Sequence, residues 1–335
     1  MQAAIYGFSG ISLAADERDF FRDADPAGYI LFQRNCESPE QLRALTAELR
    51  ALHGRGDVPI LIDQEGGRVA RMRPPAWPEF PEAGRFAELY AKAPISAIEA
   101  ARVNAQAIAV MLSEVGINVN CLPLLDVRQL GASDIIGDRA LGTEPMQVAA
   151  LGRAVIDGLR SGGVVGVVKH MPGHGRARSD SHVELPVVDA PEEALELDLE
   201  PFRTLRDAPM GMTCHIVYTA WDERRAASLS PVVIGDIIRG RIGFDGLLMS
   251  DDLGMHALSG GFDARARGVV AAGCDLALHC SGEMDEMVAV ASAVGDMGEA
   301  SRARLERAMA TVADAGASAG YAELAAKRDA LLAYA

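Results

Sequence analysis

Short runs of apolar residues recur along the chain, and longer segments with a helical spacing of apolar positions separate them. Most of these runs are continuously apolar rather than alternating, which is typical of strands that are buried on both faces of a parallel sheet. They therefore predict a parallel sheet rather than a set of half-exposed hairpins. The eight predicted strands are residues 2–8, 28–33, 58–63, 117–121, 164–169, 211–217, 246–250 and 274–279.

The segments between the runs favour helices. In SPEQLRALTAELRALHG, Ser38 and Pro39 supply a cap and a first-turn signal, and Gly54 supplies a stop. Further helices are predicted from EPMQV, from SPVVI and in the Ala-rich run 283–335. Eight strands that alternate with helices predict a (β/α)8 TIM-type barrel, possibly irregular in its first strands, with a doubly wound open sheet as the alternative. No repeat or linker interrupts the pattern, so we predict one domain over residues 1–335.

Charge and cysteine content narrow the function classes. The net charge of −15 disfavours a nucleic-acid or anionic-membrane surface. Five cysteines include no C-x-x-C pair and lie mostly in apolar runs, as expected for reduced thiols in a cytoplasm. The N-terminal stretch reaches Asp16 and Glu17 early and lacks a basic region, so no signal peptide is expected. No apolar run approaches the roughly 18 residues of a membrane span, so we expect a soluble, cytoplasmic protein.

Residues able to do chemistry lie at or near the ends of four predicted strands. In a barrel, polar residues at the carboxyl ends of strands face the active site. Each residue alone could mark the exit of a strand into solvent, and the second Asp of SDD could cap the next helix. Four such positions beside a His-rich loop favour an active site. The residues are Asp63, Lys169, His170, His215, Asp251 and Asp252.

A Gly-Gly turn follows the third predicted strand. LIDQEGGRVARM places Asp63 and Glu65 around this turn, with Arg68 and Arg71 after it. The chain has no G-x-G-x-x-G fingerprint and no P-loop, so the turn does not predict a nucleotide site. Arg139 in IIGDRALG adds a rigid group with several donors, suited to sugar hydroxyls or carboxylates. A salt bridge with a neighbouring aspartate is the alternative interpretation of that arginine.

The stretch KHMPGHGRARSDSHVELP, residues 169–186, contains three of the seven histidines and allows three interpretations. As a metal site it lacks H-x-H and H-E-x-x-H, and Pro172 followed by Gly173 precludes a helical pair of ligands. As a phosphate loop it lacks a Walker pattern. As an acid–base loop it places Asp180 two positions before His182, where a carboxylate can fix the tautomer of an imidazole that donates a proton. A histidine in a solvated turn is the alternative for that pair.

With these motifs assembled, the chain resembles glycoside hydrolase family 3, and within it the single-domain bacterial β-N-acetylglucosaminidases of peptidoglycan recycling. The match is collinear from about residue 25 to residue 285. IDQEGGRV, KHMPGHG followed by SDSHVELP, and GFDGLLMSDDLGM are jointly specific in this order. The remaining shared stretches are ILFQRN, PLLDV, IIGDRALG, MTCHIVY and AAGCDLAL.

The resemblance implies a retaining glycosidase that forms a covalent glycosyl-enzyme. It implies Asp251 as the nucleophile, His182 as the general acid/base and Asp180 as the partner that orients this histidine. His174 and His215 are expected to support the site rather than to bind the sugar. The implied ligands of the hydroxyls and acetamido group of a terminal N-acetylglucosamine are Asp63, Arg71, Arg139, Lys169 and His170.

The implied activity is an exo-β-N-acetylhexosaminidase that removes terminal N-acetylglucosamine from muropeptide fragments, GlcNAc-1,6-anhydroMurNAc with or without peptide. A phosphorylase stays open, because an imidazole acid/base admits anionic phosphate. Other N-acetylglucosaminides as substrates, an inactive sugar-binding barrel and a metal-dependent hydrolase also stay open. We expect no cofactor, no metal, no nucleic-acid or membrane partner, and a monomer or weak homodimer.

The chain departs from the family pattern at few positions. Met171 replaces the usual Phe, which we interpret as a packing change. Arg176 and Arg178 add positive charge to the loop, and we favour their pairing with Asp180 and Glu184 over contact with an acidic aglycone. The two glycines of PGHG and the length of the loop suggest that loop closure gates turnover.

Overall fold

A closed barrel dominates the computed structural model of the chain, which describes residues 1–313 and 319–334. The strands within these residues are β1 (Gln2–Tyr6), β2 (Pro26–Leu31), β3 (Ile60–Ile62), β4 (Val119–Asn120), β5 (Val165–Met171), β6 (Val187–Val188), β7 (Met210–Thr213), β8 (Val217–Tyr218), β9 (Asp222–Ala226), β10 (Leu247–Asp252) and β11 (Leu276–His279). The barrel runs β1–β2–β3–β4–β5–β7–β10–β11, with every neighbouring pair parallel. Because β11 pairs with β1, the barrel prediction is confirmed and the open-sheet alternative is wrong.

Each predicted strand overlaps one barrel strand, but the bounds differ. The predicted strand 211–217 is wrong as a single element, because it divides into β7 and β8. The chain leaves the barrel after Thr213, and β8 pairs instead with β6 and β9 in a small separate sheet. The predicted irregularity of the first strands corresponds to a register shift between β1 and β2, at Gln2 to Ile5.

Helices follow the barrel strands and cover the outside of the barrel. They are α1 (Ala15–Ala24), α2 (Pro39–Ala51), α3 (Ala83–Lys92), α4 (Pro94–Ser113), α5 (Pro145–Ser161), α6 (Glu192–Thr204), a π-helical segment (Val233–Ile242), α7 (Phe262–Ala272), α8 (Met284–Ala293), α9 (Glu299–Ala310) and α10 (Tyr321–Leu332). The predicted start of α2 is confirmed, since Ser38 accepts a hydrogen bond from the backbone of Gln41 at 3.2 Å. The Ala-rich run contains α8 to α10, and its residues 314–318 and 335 lie outside the described residues. One domain over residues 1–335 therefore stays a prediction.

The helix α4 corrects one expectation from the sequence. Its 20 residues are long and apolar enough, by length and composition, to cross a membrane, although we expected no such run. The helix carries Glu99 and Arg102, and most of its apolar window is buried against α5, α10 and the rest of the barrel shell. A buried position explains its composition, because a helix that is apolar on most sides also occurs in protein cores.

Candidate active site

The carboxyl ends of the barrel strands surround an open cavity of about 240 Å³. Part of its wall is apolar and consists of Ile30, Met212 and Leu278, which also belong to the hydrophobic core inside the barrel. Seven of the eight predicted site residues line the cavity, whereas Asp180 meets it only through His182. The seven residues are Asp63, Arg71, Arg139, Lys169, His170, His182 and Asp251.

Five charged side chains at the cavity pair in a row with alternating sign, and we call this row the charge chain. Its members are, in order, Arg71, Asp63, Lys169, Glu65 and Arg139. Lys169 lies at the centre and is 2% exposed, with its Nζ 2.9 Å from Asp63 Oδ1 and 2.8 Å from Glu65 Oε1. Arg71 extends the chain on one side by donating to Asp63 at 3.2 Å. Arg139 extends it on the other by donating to both oxygens of Glu65, at 2.8 and 2.9 Å. Buried charges persist only when they are paired, so each of these groups is held by its neighbours.

The pairing overrides the effect of burial on ionisation. Burial raises the pKa of Asp63 and of Glu65, but the facing cations outweigh it and hold both values below their usual range. Burial lowers the pKa of Lys169, but the two carboxylates outweigh it and raise the value above its usual range. All three side chains are therefore charged at neutral pH. The ammonium and the guanidinium groups of Arg71 and Arg139 offer fixed donors to hydroxyl or amide oxygens.

Glu65 was not predicted as a site residue, although it joins two that were. The EGG turn carries it, and the turn needs glycine: Gly66 has φ +105°, and a Cβ there would lie 2.3 Å from the carbonyl oxygen of Pro81. The charge and position of Glu65 beside the Gly-Gly pair were the available signals. Its partner Arg139 is 74 positions away, so local sequence could not identify the pair.

Asp126 is a second carboxylate that sequence reasoning missed. It is fully buried, and its Oδ2 lies 2.8 Å from Nδ1 of His170. Its Oδ1 accepts the backbone N–H groups of His170 at 3.2 Å and of His174 at 2.6 Å. Burial raises the pKa of Asp126, but the facing imidazole and these hydrogen bonds outweigh it and lower the pKa to about 2. The only signal was its presence in PLLDV, a stretch shared with the family.

The predicted nucleophile Asp251 lies at the end of β10 and is 7% exposed. Its Oδ1 accepts the backbone N–H of Asp252 at 2.9 Å. His215 donates from Nε2 to the carbonyl oxygen of Asp252 at 2.9 Å, while its Nδ1 lies 2.7 Å from the hydroxyl of Ser228. Burial lowers the pKa of His215, so it is neutral. His215 thus supports the backbone next to Asp251, in agreement with its expected supporting place.

The predicted acid–base pair lies on the loop after β5. His182 donates from Nδ1 to Asp180 Oδ1 at 2.7 Å, and its backbone N–H donates to the same oxygen at 2.9 Å. The imidazole is 56% exposed. Ser181, between the two, is buried, and its carbonyl oxygen accepts the N–H of Ala257 at 3.2 Å. Its hydroxyl lies 3.4 Å from Nε2 of His174, so the middle of the pair is anchored on the barrel.

The start of this loop packs closely on the barrel. A Cβ on Gly175 would lie 2.0 Å from the carbonyl oxygen of Val127, so only glycine fits there. Burial lowers the pKa of His174 to about 4, which keeps its ring neutral. His170 at the end of β5 and the two histidines of the loop have separate partners. His170 contacts the carboxylate of Asp126, His174 the hydroxyl of Ser181 and His182 the carboxylate of Asp180. Within residues 1–313 and 319–334, no three His, Cys, Asp or Glu side chains come together as metal ligands.

The favoured pairing of the loop arginines is wrong. Arg176 pairs with Asp198 on α6 and donates to the carbonyl oxygen of Ala194 at 2.8 Å, rather than pairing with Asp180 or Glu184. Burial raises the pKa of Asp198 to about 6 even though the guanidinium lowers it, so this carboxylate depends on its arginine. Arg178 is exposed and pairs with no carboxylate in the part of the chain that the structure describes.

Comparison with known sequences extends over most of the chain. A β-hexosaminidase of Alkalilimnicola ehrlichii is 40% identical over 280 residues, which cover 82% of this chain and 79% of that protein. A β-hexosaminidase of Chromobacterium violaceum is 38% identical over 340 residues, which cover 96% of this chain and 94% of that protein. Both alignments cover more than four fifths of this chain.

Solved structures similar to this one belong to the same kind of enzyme as the similar sequences. NagZ from Neisseria gonorrhoeae, in complex with N-trifluoroacetyl-D-glucosamine, superposes with a TM-score of 0.86 at 30% identity, over 99% of this chain and 98% of that one. A family 3 β-N-acetylglucosaminidase from Paenibacillus sp. gives 0.87 at 31% identity, over 98% of this chain and 66% of that one. The model of the glycosyl hydrolase family 3 N-terminal domain matches residues 6–315. The predicted enzyme class, a glycoside hydrolase, is thereby confirmed, and the chain belongs to glycosyl hydrolase family 3.

Proposed function

We propose that this glycoside hydrolase is a retaining exo-β-N-acetylhexosaminidase that removes terminal N-acetylglucosamine from cytoplasmic muropeptide fragments, GlcNAc-1,6-anhydroMurNAc with or without peptide. The relatives named β-hexosaminidase support the hexosaminidase activity, and the likeness to NagZ supports a place in peptidoglycan recycling. One observation carries the mechanism: Asp251 and His182, with its partner Asp180, meet at one cavity beside the charge chain centred on Lys169.

In the first step the carboxylate of Asp251 attacks the anomeric carbon, and the bond from that carbon to the leaving oxygen breaks. Protonated His182 transfers its Nε2 proton to the leaving oxygen, while Nδ1–H stays on Asp180. The products are a glycosyl ester of Asp251, a free aglycone alcohol and a neutral His182. An imidazole is suited to this transfer because it gains and loses a proton near neutral pH.

In the second step neutral His182 takes a proton from water as the water oxygen attacks the anomeric carbon. The ester bond breaks, which restores the carboxylate of Asp251 and the protonated His182. Two inversions at one carbon give net retention of the β configuration. The 56% exposure of His182 gives water a path to this base.

The charge chain selects the sugar. Lys169, Arg71 and Arg139 supply donors whose positions are fixed before the sugar arrives, so little ordering entropy is lost on binding. Asp63 and His170 supply acceptors for hydroxyl groups.

The nucleophile and the acid/base can be distinguished with an aryl N-acetyl-β-glucosaminide and azide. We expect Asp251→Ala to lose about 10⁴-fold or more in kcat, since the covalent route is removed. Azide then restores aryl alcohol release and gives the α-glycosyl azide, because azide attacks once in place of the carboxylate. His182→Ala gives the β-glycosyl azide, because azide attacks the glycosyl ester of Asp251. Mass spectrometry and NMR of the products identify both.

The exposed residues Asp236 and His256 provide matched controls, and Asp236→Ala and His256→Ala keep wild-type rates. Full activity of Asp251→Ala, or exchange of the two azide products, contradicts the assignment.

Phosphate tests the phosphorylase alternative: accumulation of sugar 1-phosphate in place of free N-acetylglucosamine contradicts hydrolysis. Comparison of kcat/KM for an anhydromuropeptide with that for N,N′-diacetylchitobiose tests the substrate, and a preference for the latter contradicts the muropeptide proposal.

A further inference from the structure

We propose that Asp126 is a positioning residue that keeps the ring proton of His170 on Nδ1 and leaves Nε2 as an acceptor for one hydroxyl of the sugar. This inference rests on the proposed sugar-binding place of His170. Asp126 itself is fully buried and is not part of the cavity wall. It therefore acts through the histidine and not on the substrate.

The hydrogen bonds fix which nitrogen carries the proton. An ionised carboxylate can only accept, so the 2.8 Å contact between Asp126 Oδ2 and Nδ1 of His170 requires a proton on Nδ1. Asp126 is ionised, since its pKa is about 2 in spite of the burial that raises it. Nε2 has no protein partner among residues 1–313 and 319–334, and His170 lines the cavity.

The second oxygen of Asp126 holds the backbone that carries the ring. Oδ1 accepts two N–H groups, those of His170 and His174, at 3.2 and 2.6 Å. The carboxylate thus fixes the ring and its main chain together, and rotation of the imidazole would break the 2.8 Å contact. The pocket gains a selective element, because Lys169 beside His170 can only donate whereas Nε2 accepts from a hydroxyl.

Asparagine at position 126 should reverse the tautomer. With its amide oxygen on the backbone N–H groups, its NH₂ faces His170 and can only donate, so Nδ1 becomes the acceptor and the proton moves to Nε2. The hydroxyl of the sugar then meets an N–H in place of a lone pair. We expect Asp126→Asn to lower kcat/KM about 10- to 100-fold, the effect of one buried hydrogen bond left unmade.

The first measurement is the ¹⁵N spectrum of histidine-labelled wild-type protein near neutral pH, which needs no variant and no substrate. It should show Nδ1–H and an unprotonated Nε2 for His170, assigned by its loss in His170→Ala. Asp126→Asn should show the reverse. An Nε2–H tautomer or a doubly protonated ring in the wild type overturns the inference, and neither result bears on which glycoside is hydrolysed.

The second measurement is a cycle of kcat/KM values with the aryl N-acetyl-β-glucosaminide. In the His170→Ala variant, adding Asp126→Asn should not lower kcat/KM further. For one monodeoxy analogue of the sugar, kcat/KM should likewise be unchanged by Asp126→Asn, because that analogue lacks the hydroxyl that Nε2 accepts. Asp275→Asn is the matched control, since Asp275 is also buried and binds an arginine and a backbone N–H, at the other end of the barrel. Additive losses in the cycle, or an equal loss in the control, overturn the inference.

Discussion

The residues proposed to hold the sugar and those proposed to move the proton differ in burial and in how far apart their partners lie along the chain. Lys169 is 2% exposed, and its partners Asp63 and Glu65 come from a distant part of the chain. His182 is 56% exposed, and its partner Asp180 is two positions away. The first region takes its geometry from the folded barrel, whereas the second takes it from a local turn. Substitutions in the first should therefore cost stability, and substitutions in the second should cost activity alone.

Replacing the central cation should give the largest loss of stability. Lys169→Met removes the cation that Asp63 and Glu65 share and leaves each buried carboxylate with one arginine only. We therefore expect the free energy of unfolding to fall by about 3–5 kcal/mol. Urea unfolding followed by circular dichroism measures it. Lys327→Met is the matched control, because Lys327 is exposed and pairs with Glu99 on the surface; it should cost less than about 1 kcal/mol. Equal losses in the two variants would contradict the proposed difference between the regions.

Removing the proposed acid, His182, should lower the catalytic rate without lowering stability. His182→Ala should change the free energy of unfolding by less than about 0.5 kcal/mol, because the imidazole is exposed. Its kcat/KM should fall about 100-fold or more for a methyl glycoside, whose leaving oxygen needs a proton. For a dinitrophenyl glycoside, which leaves without protonation, the fall should be less than about 10-fold. The same fall for both leaving groups would remove His182 from the acid role.

Acid should cost more stability at the buried region than at the exposed one. The pKa of Asp126 is about 2 in the folded state, below its ordinary value of 3.8. Its contribution is therefore present above about pH 4 and is lost as the pH falls through about 2, which amounts to roughly 2 kcal/mol. Urea unfolding between pH 6 and pH 2.5 should show a shallower loss in Asp126→Asn than in the wild type. Asp180→Asn should follow the wild type closely, and a profile of Asp126→Asn identical to the wild type would contradict the assignment.

The smallest effect is expected where the two regions touch. Ser181→Ala removes the contact with His174 but keeps the backbone bond to Ala257, so the pair loses only part of its anchor. We expect kcat/KM for the methyl glycoside to fall less than about 10-fold, with no change for the dinitrophenyl glycoside. Ser181→Thr, which keeps a hydroxyl, should restore the rate. A loss that is the same for both leaving groups would show that Ser181 supports the fold rather than the acid.

The barrel could be predicted because its signal is local. Continuous apolar runs identify strands with two buried faces, and each predicted strand overlaps a barrel strand. The bounds were less predictable, since they depend on pairing with neighbouring strands: β4 has two residues, whereas β5 beside it has seven. The run 211–217 remains apolar after the chain leaves the barrel, because β8 is buried in the small sheet.

The sequence predicted individual site residues but not how they pair. The motifs contain Glu65 and Asp126, but neither was predicted as a site residue, because each acts by binding another residue. Their partners depend on distances across the fold rather than on spacing along the chain. The partner of Arg176 was missed for the same reason: Asp198 lies on a helix 22 positions later, whereas the nearby carboxylates offered a simpler but wrong pair.

Because Asp180 and His182 are two positions apart, the proposed acid/base and its partner form a unit that depends on local structure alone. Both hydrogen bonds between His182 and Asp180 lie inside one turn. Insertions or deletions elsewhere in the loop can therefore change the position of His182 over the cavity without breaking these bonds. The charge chain has no such freedom, because its members come from several strands and loops. Natural variation in aglycone preference should therefore accumulate in the length and composition of this loop while the sugar pocket stays the same.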